Sequence, residues 1–154
     1  MPRWGMATWG EFATAEPDLA GRVLERFRAR KHSTLATLRR DGSPRISGTE
    51  VAFDDGELSV GMMPGSLKAR DLQRDPRVAL HSPTEDAPED DPGSWAGEAK
   101  IAGRAVEVAD HAEEGHRFLV DVQEVVLTRV GEPADHLVIE SWHPDRGTER
   151  RKRI

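Results

Sequence analysis

The chain has 154 residues, a formal net charge of −6 and no cysteine. That length fits a single domain over residues 1–154, and the negative charge argues against nucleic-acid binding, which needs an excess of Lys and Arg. The lack of thiols excludes disulfides, thiolate metal sites and cysteine nucleophiles. No apolar run approaches the roughly 20 residues of a membrane span, and the first residues lack the apolar core of a secretory signal, so we expect a cytoplasmic protein.

The first third of the chain predicts one helix and three strands. A helix is expected over residues 15–30, where apolar residues recur on one helical face. Strand-like runs follow at residues 33–40, 44–53 and 57–63, and they are separated by turns at Asp41-Gly42 and Asp54–Gly56. We expect these three strands to pair in order as an antiparallel meander.

The middle of the chain predicts a short helix between strands. A turn at Pro64-Gly65 leads into a helix over residues 66–74, which ends before Pro76 because the residue before a proline avoids the helical conformation. A fourth strand is expected over residues 77–81. Residues 82–97 are acidic and proline-rich, which is typical of an exposed loop.

The last third predicts three more strands. The fifth strand covers residues 98–108, with Gly103 as a bulge or a point of close approach. Asp110 and Glu113 resemble a helix-capping pair and predict a helix through about Val122, with Phe118 and Leu119 facing inward. Strands over residues 124–130 and 136–142 follow, and residues 145–154 form a basic, solvated tail. Many short antiparallel strands favour a closed or nearly closed barrel, since closure removes exposed sheet edges.

The start of the helix over residues 66–74 is the segment that best fits a binding role. Free N–H groups and the positive end of the helix dipole attract an anion there, and the Ser66 hydroxyl and Lys68 ammonium would complete a phosphate site. In the alternative interpretation, Ser66 only caps the helix and Lys68 lies in solvent. Taken alone, the pattern favours the alternative, and the P-loop motif of nucleotide-binding proteins is absent.

The order of the motifs resembles the FMN-binding split-barrel family of pyridoxamine 5′-phosphate oxidase-like flavin and deazaflavin oxidoreductases. The resemblance covers about residues 32–108 and implies a mainly β fold, an antiparallel split β-barrel of six to seven strands. The matching motifs are Asp41-Gly-Ser-Pro-Arg-Ile-Ser47, Gly65-Ser66-x-Lys68-Ala69, Asp75-Pro-Arg-Val-Ala-Leu80 and Ala99-x-x-x-Gly103-x-Ala105, with Trp142-His143-Pro144 fitting the end of the last strand.

The resemblance also implies a cofactor site at the interface of a homodimer. Ser66 and Lys68 would contact the cofactor phosphate, with Arg45 as a further cation, and Gly61 and Met62 would lie beside the phosphate end. Alternation along the second strand would bring three side chains to the ring system: Ser47, Thr49 and Val51. Trp142 would either cover the cofactor of the partner subunit or serve as an interface or core aromatic.

The function implied is an oxidoreductase that transfers hydride to or from an unknown small molecule. The cofactor is FMN, with the 8-hydroxy-5-deazaflavin coenzyme as the alternative. Vitamin B6 oxidation is not expected, because Gly61-Met62 replaces the Tyr-Thr pair frequent in those oxidases and the chain has no Tyr. The alternatives are a non-catalytic module that binds or stores a cofactor or haem, and a structural dimer with an empty site.

The histidines do not predict a metal site. His111 and His116 would lie about 140° apart on the predicted helix, so their imidazoles would not converge on one ion. His81 ends the fourth strand without an evident partner, and we interpret it as structural.

Overall fold

The computed structural model describes residues 5–109 and 114–154. These residues form three helices and nine strands, with a short 3-10 turn at Pro92–Ser94. The helices are α1 (Trp9–Ala15), α2 (Pro17–Arg28) and α3 (Leu67–Arg74). The strands are β1 (Ser33–Leu38), β2 (Pro44–Thr49), β3 (Val51–Asp54), β4 (Glu57–Met62), β5 (Arg77–His81), β6 (Glu98–Val108), β7 (His116–Val130), β8 (Leu137–His143) and β9 (Gly147–Arg153).

The strands form one antiparallel sheet in the order β2-β1-β5-β6-β7-β4-β3, with β8 and β9 extending from β7. β2 and β3 lie at opposite ends of this order, yet only Glu50 separates them in the chain. The sheet must therefore curl until its two ends meet at Glu50. This arrangement confirms the predicted antiparallel split barrel, with nine strands in the described residues rather than six or seven.

The predicted second strand is in fact two strands. β2 pairs with β1, whereas β3 pairs with β4, so the prediction of one strand over residues 44–53 and of a simple meander is wrong. Exposed and less exposed residues alternate from Pro44 to Glu50, and such alternation does not reveal which neighbour a strand pairs with. Ser47 and Thr49 consequently belong to β2, and Val51 belongs to β3.

The helix predicted to end near Val122 is also wrong. The described chain resumes at Glu114, and β7 runs without interruption from His116 to Val130, pairing with both β4 and β6. Phe118 and Leu119 were predicted to face inward; Phe118 is buried on the strand, whereas Leu119 is half-buried. Three positions of the earlier interpretation, Asp110, His111 and Glu113, lie outside the described residues.

Several local predictions agree with the structure. α2, α3 and the strands from β4 to β6 lie within two residues of their expected bounds, and Gly42 adopts the positive φ of +87° expected at the hairpin turn. Gly103 is a point of close approach, because a Cβ there would lie 1.8 Å from the Asp121 carbonyl oxygen, and the β6–β7 register shifts beside it. α1 was not predicted, although Thr8 and Glu11 form a capping box at its start.

The core fills the barrel and continues under α1 and α2. An aromatic cluster joins the helices to the sheet: the ring centroids of Trp9 and Phe53 lie 4.6 Å apart, and those of Phe12 and Trp142 lie 4.7 Å apart. None of the helices in the described part of the chain has the length and apolarity of a membrane span.

The basic C-terminal segment is a strand rather than a solvated tail, although most of its side chains are exposed. Arg150 on β9 donates to Glu140 of β8 at 3.0 Å. Arg22 of α2 and Arg129 of β7 donate to the same carboxylate, which is only 1% exposed. Burial would raise the pKa of Glu140, but the hydrogen bonds and charges of Arg22 and Arg129 outweigh it and lower the pKa to about 2.

Candidate functional site

A cavity of about 670 Å³ opens where β3, β4 and the start of β7 meet. Its walls are the segments Glu50–Ala52, Gly61–Pro64 and Glu114–Arg117, together with Ser59. Gly115 has a φ of +124°, and a Cβ there would lie 2.5 Å from the Met62 carbonyl oxygen, so glycine lets the entry to β7 pack closely on the end of β4. The cavity has the size of typical small-molecule sites.

Three residues predicted from the sequence line this cavity: Val51, Gly61 and Met62. Met62 is buried, and Val51 is half-buried. A Cβ at Gly61 would meet no atom within 4 Å, so the absence of a side chain leaves open space in the wall. Glycine at this position therefore allows a planar or extended ligand to approach the backbone of β4.

The N-terminal end of α3 follows the cavity directly, because Pro64 is a wall residue and Ser66 caps the helix. The Ser66 hydroxyl oxygen accepts a hydrogen bond from the backbone N–H of Ala69 at 3.2 Å. The hydroxyl hydrogen is still available as a donor. The amides of Leu67 and Lys68 lie in the first turn, where no partner exists inside the helix.

Lys68 reaches from α3 to β2. Its Nζ donates a hydrogen bond to the carbonyl oxygen of Gly48 at 2.7 Å, and the side chain is half-buried rather than free in solvent. An ammonium group carries three donors, so two are left for a ligand. The contact holds one positive charge at the junction of α3 and β2.

Arg45 lies on β2 in a buried network with α3. Its Nε donates to Asp71 Oδ2 at 2.7 Å, and Asp71 also accepts from Thr37 at 2.8 Å and from Arg74 at 3.0 Å. Burial would raise the pKa of Asp71, but the hydrogen bonds from Arg45, Thr37 and Arg74 outweigh it and lower the pKa. Arg45 therefore fastens α3 to the sheet.

The Arg45 side chain lines a second cavity of about 420 Å³ along α3, not the cavity at Gly61. Four further arginines stand around this second cavity: Arg39, Arg40, Arg70 and Arg74. Two aspartates, Asp41 and Asp71, offset part of their charge. This strongly cationic groove borders α3 on the side of the β1–β2 hairpin.

A family model for pyridoxamine 5′-phosphate oxidase matches residues 19–146, which is most of the chain. The chain belongs to this family. No curated protein matches the sequence.

Solved structures share the fold of this family member at low identity. A pyridoxamine 5′-phosphate oxidase-related, FMN-binding protein from Nostoc punctiforme has a TM-score of 0.64 at 13% identity, over 89% of this chain and 95% of its own. PhzG from Burkholderia lata, solved in complex with tetrahydrophenazine-1-carboxylic acid, has a TM-score of 0.62 at 12% identity, over 92% of this chain and 91% of its own. A heme binding protein from Mycobacterium smegmatis has a TM-score of 0.61 at 18% identity, over 80% of this chain and 58% of its own.

The remaining predicted residues of this family member lie away from the two cavities. Ser47 is half-buried and Thr49 is buried on β2, and neither lines either cavity. Trp142 is 5% exposed and packs on Phe12, so it belongs to the hydrophobic core. Of its two expected roles, the core role is the one that the structure supports.

Five polar or charged residues that line the cavity were not predicted as site residues from the sequence: Glu50, Ser59, Glu114, His116 and Arg117. Glu50 lies at the β2–β3 junction, and His116 begins β7. The wrong helix prediction kept His116 out of the site, although Phe118, Val120 and Val122, which are buried on β7, recur with the two-residue period of a strand. His81, interpreted as structural, has its Nδ1 2.7 Å from the Ser82 carbonyl oxygen. Within residues 5–109 and 114–154, no three His, Asp or Glu side chains are grouped to hold a metal ion.

Proposed function

We propose that this protein is an oxidoreductase that binds a flavin-type cofactor, with the ring system in the cavity at Gly61 and the phosphate at the N-terminal end of α3. The observation that carries the proposal is the succession of the two features along the chain. The open wall at Gly61 and Met62 passes through Pro64 into the helix start at Ser66 and Lys68. Membership in the pyridoxamine 5′-phosphate oxidase family supports the same assignment.

The residues around the helix start suit a phosphate group. Ser66 has a free hydroxyl hydrogen, Lys68 has two unused N–H groups beside its bond to Gly48, and the first-turn amides point out of the helix. Arg45 adds positive charge nearby while Asp71 holds it in place. A flavin-type cofactor supplies the hydride chemistry when bound, and the polypeptide binds and orients it.

FMN is the cofactor that we propose first, and the 8-hydroxy-5-deazaflavin coenzyme is the alternative. The FMN-binding protein from Nostoc punctiforme, which covers nearly the whole chain, favours FMN. The substrate is a small molecule that reaches the ring through the cavity. A homodimer with the cofactor at its interface belongs to the same proposal, and Ile46 offers an apolar side chain, 76% exposed on the outer face of β2, for a second copy to cover.

Cofactor titration tests the proposal. Purified protein is titrated with FMN and separately with the deazaflavin, and binding is followed by quenching of cofactor fluorescence. Lys68→Ala should weaken binding about 10- to 150-fold, because a hydrogen bond to a charged group contributes about 1.5–3 kcal/mol. The matched control is Lys152→Ala on the exposed face of β9, which should bind like the wild type.

The two outcomes of this titration separate the parts of the proposal. Failure of the wild type to bind either cofactor would refute the function. Tight binding that Lys68→Ala leaves unchanged would keep a cofactor-binding protein but move the phosphate away from α3.

A second candidate is a non-catalytic module that binds or stores a cofactor or haem. The observation that favours it is the imidazole of His116 in the cavity wall, since histidine is a common axial ligand of haem iron. The fold shared with the heme binding protein from Mycobacterium smegmatis is compatible with this candidate. A haem absorbance band that disappears in His116→Ala, together with no turnover on a bound flavin, would favour the module over the oxidoreductase.

A further inference from the structure

The cavity at Gly61 contains a histidine that is held by a carboxylate. His116 opens β7 opposite Met62 of β4, and its imidazole forms part of the cavity wall. Its Nδ1 lies 2.9 Å from Oε2 of Glu107 on β6. The His116 side chain is 27% exposed and forms part of the cavity wall, whereas the Glu107 side chain, which is 39% exposed, does not line the cavity.

The carboxylate is itself held in place. The side-chain amide of Gln73 on α3 donates to both oxygens of Glu107 at 3.2 Å. Gln73 Nε2 also lies 3.5 Å from Nδ1 of His116, at the limit of hydrogen-bond distance. Because an ionised carboxylate only accepts hydrogen bonds, we assign the ring hydrogen to Nδ1 on the much shorter 2.9 Å contact with Glu107. Nε2 has no hydrogen-bond partner among residues 5–109 and 114–154, and it is therefore the ring nitrogen that can exchange a proton with a molecule in the cavity.

We propose that His116 exchanges a proton with the substrate through Nε2, and that Glu107 and Gln73 are positioning residues. The inference rests on the proposed oxidoreductase function and names the residue that would supply the proton when a substrate in the cavity accepts hydride. With a conjugated carbonyl compound as acceptor, a bound reduced cofactor would supply the hydride to the β-carbon, and the displaced π-electrons would place negative charge on the carbonyl oxygen. This oxygen takes the proton from Nε2–H of the doubly protonated His116 imidazolium, which leaves the neutral Nδ1–H tautomer, and water then returns a proton to Nε2.

Other charged groups also line the cavity. Glu50 lies 3.4 Å from Lys31 in an exposed ion pair and 3.5 Å from the His32 imidazole. Glu114 and Arg117 also line the cavity, on either side of His116 in the chain. Arginine stays protonated at all relevant pH values, so it can bind an acceptor but cannot cycle a proton. Glu107 is the charged side chain in hydrogen-bond contact with the imidazole among the described residues.

His143 offers a matched control. It also pairs with a glutamate, since its Nε2 lies 2.8 Å from Glu124, but Arg146 stands 3.1 Å from the ring and the residue does not line the cavity. His143→Gln therefore removes a His–Glu pair of the same kind from a place where no proton transfer to the substrate is proposed.

Imidazole ¹⁵N NMR tests the arrangement without any turnover. The neutral ring of His116, assigned by comparison with His116→Gln, should be in the Nδ1–H tautomer, and its Nε2 signal should move when FMN and cyclohex-2-enone are added together. Glu107→Gln should raise the share of the Nε2–H tautomer. An Nε2–H tautomer in the wild type, or an Nε2 signal that stays fixed although the cofactor binds, would overturn the proposal.

The oxidative half-reaction tests the proton step. Protein loaded with cofactor is reduced and then mixed with cyclohex-2-enone, which needs a proton, or with ferricyanide, which takes electrons alone. His116→Gln should slow reduction of the enone by about 10²- to 10⁴-fold relative to reduction of ferricyanide, whereas His143→Gln should leave the ratio of the two rates unchanged. Glu107→Gln should shift the pH profile of the enone reaction.

The outcomes distinguish this inference from the function on which it rests. A wild type that binds no cofactor refutes the oxidoreductase, while the tautomer measurement still judges the His116–Glu107 pair. A wild type that reduces the enone at a rate unchanged by His116→Gln refutes the proton role alone. A haem spectrum that depends on His116, without enone turnover, also overturns the proton role.

Discussion

Glu140 allows a quantitative prediction, because three arginines from different elements converge on one buried carboxylate. Arg22, Arg129 and Arg150 donate to it from α2, β7 and β9. Glu140→Gln removes the negative charge with little change in shape. The three guanidinium groups then face one another without their shared counter-charge, so the substitution should destabilise the packing of α2 and β9 on the barrel.

The magnitude follows from the pKa of Glu140. A carboxyl group whose pKa falls from 4.5 to about 2 on folding stabilises the protein at neutral pH by about 3 kcal/mol, at about 1.4 kcal/mol per pH unit. The guanidinium side chains are 31%, 39% and 68% exposed, so solvent screens part of this interaction. We therefore expect a measured loss of about 2 kcal/mol in the free energy of unfolding.

Urea unfolding followed by tryptophan fluorescence provides the assay, since Trp9 and Trp142 report on the core. Because the folded-state pKa is depressed, the stabilisation is present above pH 4.5 and is lost as the pH falls towards 2. The difference between wild type and Glu140→Gln should shrink over that interval. Glu149→Gln, an exposed glutamate on β9, is the control and should cost less than about 0.5 kcal/mol. Equal stability of wild type and Glu140→Gln at pH 7, or a difference that persists at pH 2, would refute the reasoning.

Three further substitutions test the packing and the cavity. Gly103→Ala should destabilise the fold by about 2 kcal/mol or more in the same urea assay, because its Cβ would collide with the Asp121 carbonyl oxygen. The control Gly21→Ala, on the exposed side of α2, should stabilise the fold by about 1 kcal/mol, and the reverse order would show that Gly103 can accept a side chain. Asp71→Asn should lower the free energy of unfolding by about 3 kcal/mol, because Arg45 and Arg74 lose their buried partner. Exposed Asp18→Asn is the control, and an equal or smaller loss in Asp71→Asn would contradict the buried network. Gly61→Leu should leave the free energy of unfolding unchanged, because the position faces open space. It should weaken FMN binding at least about tenfold in the fluorescence titration, and unaltered binding would mean that the ring system lies elsewhere.

Local signals in the sequence were sufficient for much of the barrel. The Asp41-Gly42 dipeptide is a strong hairpin signal. The helix that begins after Ser66 ends before Pro76 for steric reasons that need no tertiary information. The positions of α3 and of the strands on either side of it were predicted for these reasons. The sequence therefore placed Ser66 and Lys68 at the start of this helix, and Gly61 and Met62, which line the cavity, on the strand before it.

Long-range pairing was beyond such signals. The chain leaves one end of the sheet and enters the other at Glu50, and nothing local distinguishes this residue from one in the middle of a strand. A capping pattern and the Phe118-Leu119 pair favoured a helix from Asp110 to Val122. The residues from His116 onward instead form β7, because this segment pairs with β4 on one side and β6 on the other. Because of that error, His116 was not predicted as a residue of the site. The three arginines around Glu140 come from three separate elements, α2, β7 and β9, and only the fold brings them into contact with it.

A crystal structure of the protein grown with FMN tests the central claim most directly. The account predicts the phosphate within hydrogen-bond distance of the Ser66 hydroxyl and the Lys68 ammonium, and the ring system against the backbone of Gly61. A cofactor bound at another place, or electron density for FMN that leaves the start of α3 without a phosphate, would contradict it.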